Sequence, residues 1–144
     1  MTTTRMKARP ARKSGSKRKP PVHREGPQQE LLFRWLKFTY PDVYNLTFHI
    51  PNGGDRHAAV GKKLQREGVK KGVPDIFVAL PAGGYSGLFI EFKAAKPHAS
   101  DVSEEQKAWL EKLEAAGYKA LVCKGTQEAK EAIFNYVIAD EVPY

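Results

Sequence analysis

Hydrophobic positions in the first third of the chain repeat at the spacing of a helix. Residues 28–39 follow Pro27, a residue favoured at the first position of a helix, and the Tyr40-Pro41-Asp42 segment ends the pattern. One broad face of this segment is apolar, with Leu31, Leu32, Trp35, Leu36 and Phe38. The pattern therefore predicts an amphipathic helix over residues 28–39.

Two later segments have the same periodicity. Ser103 and Gln106 have the spacing of a capping box, and Gly117 is placed to end the helix that they begin. A last helix is predicted to start with Thr126 as its cap and to present one apolar face, formed by Ala129, Ile133, Tyr136 and Val137.

Four short segments are apolar and β-branched enough to be strands: residues 45–50, 75–80, 87–93 and 119–123. Residues 51–54 and 81–84 are rich in proline and glycine and indicate turns, so the second and third strands should pair as a hairpin. A short helix followed by a loop is predicted within residues 56–71. This order of elements indicates an α/β domain with a mixed central sheet flanked by helices.

Length and composition narrow the class of protein. The chain has 144 residues, which is one ordinary domain, and no apolar run approaches the roughly 18 residues that span a bilayer. The basic N-terminal segment is not followed by the apolar stretch of a secretory signal. A single cysteine, Cys123, excludes an intramolecular disulfide. We therefore expect a soluble cytoplasmic protein with no membrane partner.

The net charge of +8 is unevenly distributed. Residues 1–24 contain nine lysines and arginines and no acid, whereas the other 120 residues have a net charge of −1. A segment this basic and this poor in apolar residues is predicted to be a disordered tail, so residues 25–144 form the folded domain. A flexible polycation suits a phosphate backbone, although a solubilising or localising tail is an alternative.

The candidate chemistry centres on Asp75, Glu91 and Lys93. Glu91 and Lys93 point to the same face of a strand, and the hairpin would bring Asp75 beside Glu91. Two close carboxylates repel each other unless a hard divalent cation such as Mg²⁺ lies between them. The pattern indicates metal-assisted phosphodiester hydrolysis, with Lys93 near the scissile phosphate. The alternative is a surface Glu–Lys pair and an aspartate in a turn.

Two further polar residues fall on inward helix faces. Gln106 shares its face with Trp109, Leu110 and Leu113, so it either reaches the active site or serves only the capping box. Glu25 shares a face with Gln29, Leu32 and Leu36 if the first helix begins one turn before residue 28. Glu30 shares its face with Arg34 and Lys37, the solvated side. Glu25 is therefore the better candidate for a third acid, unless Pro27 marks the true start.

A glycine-rich turn leads into a second basic segment. The turn, residues 52–54, would expose main-chain N–H groups to a phosphate. The basic residues that we predict to bind nucleic acid are Arg56, Lys62, Lys63, Lys70 and Lys71. The alternative is a tight turn followed by solvated lysines.

With these motifs the chain resembles a stand-alone VRR-NUC domain of the PD-(D/E)XK nuclease superfamily. The type is known from phage and bacterial proteins and from the C-terminal domain of Fanconi-associated nuclease. The resemblance runs from about residue 25 to residue 136. It rests on Glu25 with Gln29, Trp35, Tyr40-Pro41, IPNGGDR (50–56), GVKKGVPDIFV (68–78), GLFIEFK (87–93), SEEQ (103–106) and AGYKALVC (116–123).

The resemblance implies a restriction-endonuclease-like core that binds Mg²⁺ or Mn²⁺. It implies Glu25, Asp75, Glu91 and the Phe92 carbonyl as metal ligands, and Lys93 as the catalytic lysine. Gln106 matches the glutamine of the family's helix. Single-domain relatives are associated with homodimers that act on branched DNA, including four-way junctions.

The leading hypothesis is a metal-dependent, structure-selective DNA endonuclease. The alternatives are a flap-cleaving or nicking nuclease of the same fold, and a basic DNA-binding protein without catalysis. A homodimer is expected because symmetrical cleavage of a junction needs two sites related by a two-fold axis. The candidate aromatic residues for its interface are Phe33, Tyr44, Phe48, Tyr85 and Tyr144.

Overall fold

The fold places four strands between two groups of helices. The coordinates are a computed structural model, which describes residues 24–52 and 58–140. Some of the sequence-based predictions lie outside the described residues: those for the tail that precedes Arg24, for the glycines of the turn at residues 53 and 54, for Arg56 and for Tyr144. The division of the chain into a tail and a folded domain therefore stays a prediction.

The helices are α1 (Glu25–Thr39), α2 (Pro41–Asn45), α3 (Ala58–Arg66), α4 (Glu104–Ala115) and α5 (Thr126–Val137), followed by a short 3-10 turn (Ile138–Asp140). The strands are β1 (Thr47–His49), β2 (Ile76–Val78), β3 (Leu88–Lys93) and β4 (Lys119–Lys124). In the part of the chain that the structure describes, no helix is long and apolar enough to cross a membrane.

The four strands form one sheet in the order β1-β2-β3-β4. β1 pairs with β2 and β2 with β3 in antiparallel fashion, and β3 pairs with β4 in parallel through the α4 crossover. The predicted hairpin and the mixed α/β sheet flanked by helices are thus confirmed. The register sets Ile76 opposite Ile90, which fixes the position of every side chain near the end of the hairpin.

The hydrophobic core lies on the face of the sheet that α1 and α5 cover. Its largest fully buried side chains come from both helices and from the two central strands: Leu32, Leu36, Ile76, Val78, Leu88, Ile90, Phe92, Ile133 and Tyr136. Burying one such side chain stabilises the fold by about 1.5–3 kcal/mol. The core therefore holds the central strands rigidly from one side.

The first helix begins earlier than its proline suggests. α1 starts at Glu25, so Pro27 lies inside its first turn, where a missing N–H costs nothing. The prediction of one strand over residues 45–50 was too long, because Pro41 starts the short helix α2 instead. The Thr47 hydroxyl donates to the Val43 carbonyl at 2.7 Å and joins the end of α2 to the first residue of β1.

The caps of the last two helices differ from each other. Ser103 and Gln106 form the predicted capping box at the start of α4, and Gly117, at a φ of +95°, follows its end. The prediction that Thr126 caps α5 was wrong. Gly125 is the N-cap, and the Thr126 hydroxyl instead donates to the Gln28 carbonyl at 2.8 Å. This bond ties α5 to α1.

Candidate active site

Asp75 lies immediately before β2 and is held from three sides. The register continues from the Ile76–Ile90 pair, so Asp75 comes beside Glu91 at the end of the hairpin. The Phe92 main-chain N–H donates to Asp75 Oδ2 at 2.9 Å. The Asp75 carbonyl accepts from the Ile50 N–H at 2.6 Å and lies 2.8 Å from His49 Nδ1. The Phe92 contact orients the carboxylate, and the other two contacts hold the main chain of Asp75 in place.

Glu91 and Lys93 emerge from β3 on the same face, as the strand period requires. Both are buried, with 2% and 6% of their surface exposed, and Lys93 Nζ lies 3.6 Å from Glu91 Oε1. A charged pair at this depth costs free energy unless further partners compensate it. The alternative of a surface Glu–Lys pair is therefore wrong.

Gln106 connects the helix α4 to this pair. Its Nε2 donates to Glu91 Oε1 at 2.7 Å, and its Oε1 accepts from Lys93 Nζ at 3.1 Å. The same Oε1 also accepts a hydrogen bond from the Ser103 N–H at 2.9 Å, which is the capping-box contact. Gln106 therefore forms the capping box and also contacts Glu91 and Lys93, and its role in an active site stays a prediction.

Burial and mutual repulsion shift the pKa values of the two acids. The pKa of Glu91 is raised to about 8, chiefly by burial and in addition by the nearby charge of Asp75, while Lys93 opposes the shift. Burial also raises the pKa of Asp75. The hydrogen bond from the Phe92 N–H favours the charged form of Asp75 and opposes this rise. This pair of acids attracts protons or cations more strongly than two isolated carboxylates would.

A divalent cation fits the donor set. Glu91 Oε2 is buried and accepts no hydrogen bond from the described residues, whereas Oε1 accepts one from Gln106 and pairs with Lys93. A buried carboxylate oxygen without a donor is costly. Mg²⁺ and Mn²⁺ prefer carboxylate and carbonyl oxygens, so Asp75, Glu91 and the Phe92 carbonyl offer the chemistry that such an ion needs.

The acids open into a cavity of about 400 Å³. Its wall includes Glu25, Asn52, Lys71, Gly72, Val73, Asp101, Ser103 and Gln106 in addition to Asp75, Glu91 and Lys93. The cavity is therefore shared by α1, the loop before β2, the end of β3 and the start of α4. Such a concave site with converging charged groups is the expected form of an active site.

Glu25 faces this cavity from the first turn of α1. It is exposed, and the Ser100 hydroxyl lies 3.5 Å from its Oε1. Within residues 24–52 and 58–140, no three histidine, cysteine or acidic side chains are close enough to bind one ion. Glu25 thus lines the same cavity as Asp75 and Glu91 without joining them, and its role as a ligand stays a prediction. Glu30 is exposed elsewhere on α1.

The loop before Asp75 forms one wall of the cavity through contacts that the sequence analysis missed. Asn52 Nδ2 donates to the Lys70 carbonyl at 2.6 Å, and Trp109 Nε1 donates to the Lys71 carbonyl at 3.1 Å. Gly72 has a φ of +91°, and a Cβ there would lie 2.7 Å from the Glu105 backbone. The loop therefore packs directly on the start of α4. The signal in the sequence was the polar turn residue at position 52.

The predicted DNA-binding lysines of the described residues are all exposed. Lys62 and Lys63 are exposed on α3, and Lys63 Nζ is 3.7 Å from Glu67. Lys70 is exposed, and Lys71 lines the cavity while its Nζ lies 3.2 Å from Glu105. Exposed pairs of this kind contribute little to stability, so these lysines remain available to other anions.

Comparison with known proteins places the chain in a family. The model of the VRR-NUC domain family matches residues 24–127, most of the chain. A solved structure described as "VRR_NUC domain protein" is similar to the chain with a TM-score of 0.71 and 28% sequence identity, over 83% of this chain and 92% of that one. No curated protein matches the chain significantly. The chain belongs to the VRR-NUC domain family and is a nuclease-type enzyme.

Proposed function

We propose that this chain is a Mg²⁺- or Mn²⁺-dependent DNA endonuclease of the PD-(D/E)XK superfamily and of the phage or bacterial type. It hydrolyses phosphodiester bonds in branched DNA such as four-way junctions. The observation that carries this proposal is the buried Glu91 carboxylate beside Asp75 and Lys93, with one oxygen that accepts no hydrogen bond from the described residues. A protein that only binds DNA gains nothing from two acids next to a phosphate.

The residues divide the work of hydrolysis among them. Asp75, Glu91 and the Phe92 carbonyl would hold the metal ion, which lowers the pKa of water and stabilises negative charge on phosphate. The Lys93 ammonium lies beside Glu91 and would orient the attacking water or neutralise charge on the phosphate. Gln106 fixes both side chains through its two hydrogen bonds. Glu25 would act from the mouth of the cavity.

Cleavage assays with the full chain test this assignment. A four-way junction, a flap and a linear duplex are incubated with Mg²⁺, Mn²⁺ or EDTA. We expect cleavage in either metal, none in EDTA, and a preference for the junction; cleavage of the flap or nicking of the duplex would favour the other two nuclease classes. Lys93→Met should slow cleavage by about 10²–10³-fold, whereas the exposed control Lys96→Met should not. Equal rates in both variants would contradict the proposed site.

The proposal includes a homodimer, since one site cuts one strand. Phe33 and Tyr44 pack against the core, so they are poor candidates for its interface. Phe48 and Tyr85 are exposed. A further exposed apolar surface lies between α1 and α5 and comprises Leu31, Phe38 and Phe134. Light scattering at micromolar concentration measures the assembly, and a Phe38→Asp variant that stays monomeric would place the interface at this surface.

A further inference from the structure

The sheet face that carries the acids also carries a row of aromatic rings. Phe48 on β1, Phe77 on β2 and Phe89 on β3 are opposite one another in the register, and Tyr118 precedes β4. The rings of Phe77 and Phe89 stack with centroids 4.3 Å apart, and Phe48 meets Phe77 edge-on at 5.6 Å. Tyr118 meets Phe89 edge-on at 5.3 Å. We call Phe48, Phe77, Phe89 and Tyr118 the aromatic row.

The aromatic row is separate from the hydrophobic core. None of its four residues belongs to the core cluster or to the side chains that pack against it in the described part of the chain. Phe77 lies over the backbone of Gly87, where a Cβ would come within 2.6 Å of its ring. Phe48 is 49% exposed, and the other three rings are half-buried. The row is therefore a supported surface with an accessible end.

The row is continuous with the candidate active site. Phe77 follows Asp75 by two residues, and Phe89 precedes Glu91 by two residues, so each ring shares a face with an acid. Two residues of a strand span about 7 Å. A DNA strand with a phosphate at Asp75 and Glu91 would thus reach the rings with its adjoining nucleotides.

Phe48 retains an aromatic face that Phe77 does not cover. The rings of Phe48 and Phe77 lie at an interplanar angle of 82°, so the edge of one ring meets the face of the other. Phe77 therefore covers at most one of the two faces of Phe48. A flat ring can therefore stack on Phe48.

We propose that the aromatic row binds unpaired nucleobases of the strand whose phosphate lies at Asp75 and Glu91. This inference rests on the proposed function, because it takes branched DNA as the substrate, and it adds that the bases beside the scissile phosphate are unpaired at the branch point. Bases in a duplex have their faces occupied by neighbouring pairs, whereas unpaired bases stack on aromatic side chains. The exposed lysines Lys70 and Lys71, next to the cavity, suit the phosphates of such a strand.

Binding of single strands by the full chain in EDTA tests the proposal without cleavage. Fluorescence anisotropy compares a dT oligomer with an abasic phosphate oligomer of equal length and charge. Phe48→Ala should weaken binding of the dT oligomer by about 5- to 150-fold and leave the abasic oligomer unchanged. Phe48→Trp should restore binding. Leu46→Ala, which removes an apolar side chain that is 42% exposed two residues before Phe48, is the control and should bind like wild type.

Thermal unfolding of each variant confirms that the domain is folded. A Phe48→Ala protein with wild-type affinity for dT would overturn the proposal, even if the chain cleaves DNA as expected. Base-dependent binding that Phe48→Ala removes would support it, even if cleavage fails and the proposed function falls. Loss of self-association in Phe48→Ala, with dT affinity unchanged, would assign the row to a second copy of the chain and also overturn it.

Discussion

The two faces of the central sheet are built from alternate residues of the same strands and have opposite chemistry. On β3, Ile90 and Phe92 point into the apolar core below α1 and α5, whereas Glu91 and Lys93 point toward the cavity below α4. All four side chains are buried. Burial on one face is favourable, because apolar surface leaves water. On the other face it is costly, because charges leave water.

This difference shows how one face stabilises the other. The core face holds β2 and β3 in register, and that register alone brings Asp75 beside Glu91. The polar face is kept in an unfavourable state, with raised acid pKa values and an oxygen of Glu91 without a donor in the described residues. Strain of this kind is typical of functional sites. Changes on the two faces should therefore affect different properties of the protein.

The largest expected effect is on cleavage, through the polar face. Glu91→Gln should slow cleavage by about 10³-fold or more, because it removes a negative metal ligand while keeping the size of the side chain. DNA affinity should stay equal or rise slightly, because a negative charge near phosphate is lost. Glu111→Gln, on the exposed side of α4, is the control. A Glu91→Gln protein that cuts at the native rate in Mg²⁺ would end the assignment of this site.

On the core face the expected effect is on stability. Ile90→Ala should lower the free energy of unfolding by about 2–5 kcal/mol, because it leaves a cavity beside fully buried neighbours. Urea unfolding monitored by circular dichroism measures this change, and Glu91→Gln serves as the comparison from the next residue of the same strand. A loss below about 1 kcal/mol in Ile90→Ala would show that β3 does not depend on the core face.

Without metal, stability should decrease as the pH rises. Glu91 has a pKa of about 8 in the fold against 4.5 in an unfolded chain, so the folded state keeps a proton that the unfolded state releases. The stabilisation that this bound proton gives is complete below pH 4.5 and is lost as the pH approaches 8. For the pair of acids, the free energy of unfolding should fall by about 1–3 kcal/mol over this range. Urea unfolding in EDTA between these two limits measures the decrease.

Mg²⁺ supplies the control for this pH dependence. Because the ion binds the deprotonated acids, saturating Mg²⁺ should flatten or reverse the decrease in stability. In EDTA, Glu91→Gln should reduce the decrease in stability with rising pH, since the titrating group is gone. Stability in EDTA that increases over the same pH range would contradict the burial of two uncompensated acids.

The sequence predicted the parts of the fold that depend on local periodicity. The hairpin, the capping box of Ser103 and Gln106, and the strand alternation that puts Glu91 beside Lys93 are all present. It failed where distant contacts override local preference. Thr126 bonds to α1 instead of capping α5, and Asn52 and Trp109 bind the loop before Asp75 from positions 18 and 38 residues away in the sequence. Such contacts have no periodic signal.

Glu25 is the residue for which sequence and structure leave the most specific disagreement to test. Because α1 starts at Glu25, this residue belongs to the helix, as the prediction of an inward-facing side chain requires. Glu25 is nevertheless exposed, and it lies outside any three-residue cluster of potential ligands in the described residues. An exposed carboxylate at the mouth of the cavity acts on a bound divalent ion through water, where the interaction of one charge with two across 4 Å is worth about 2 kcal/mol. Glu25→Gln should therefore slow cleavage by roughly 30-fold and raise the Mg²⁺ concentration for half-maximal rate. Glu30→Gln, on another side of the same helix, should change neither. A loss near that of Glu91→Gln would mean that α1 moves to complete the metal site, and a larger effect of Glu30→Gln would show that the facing of α1 is wrong.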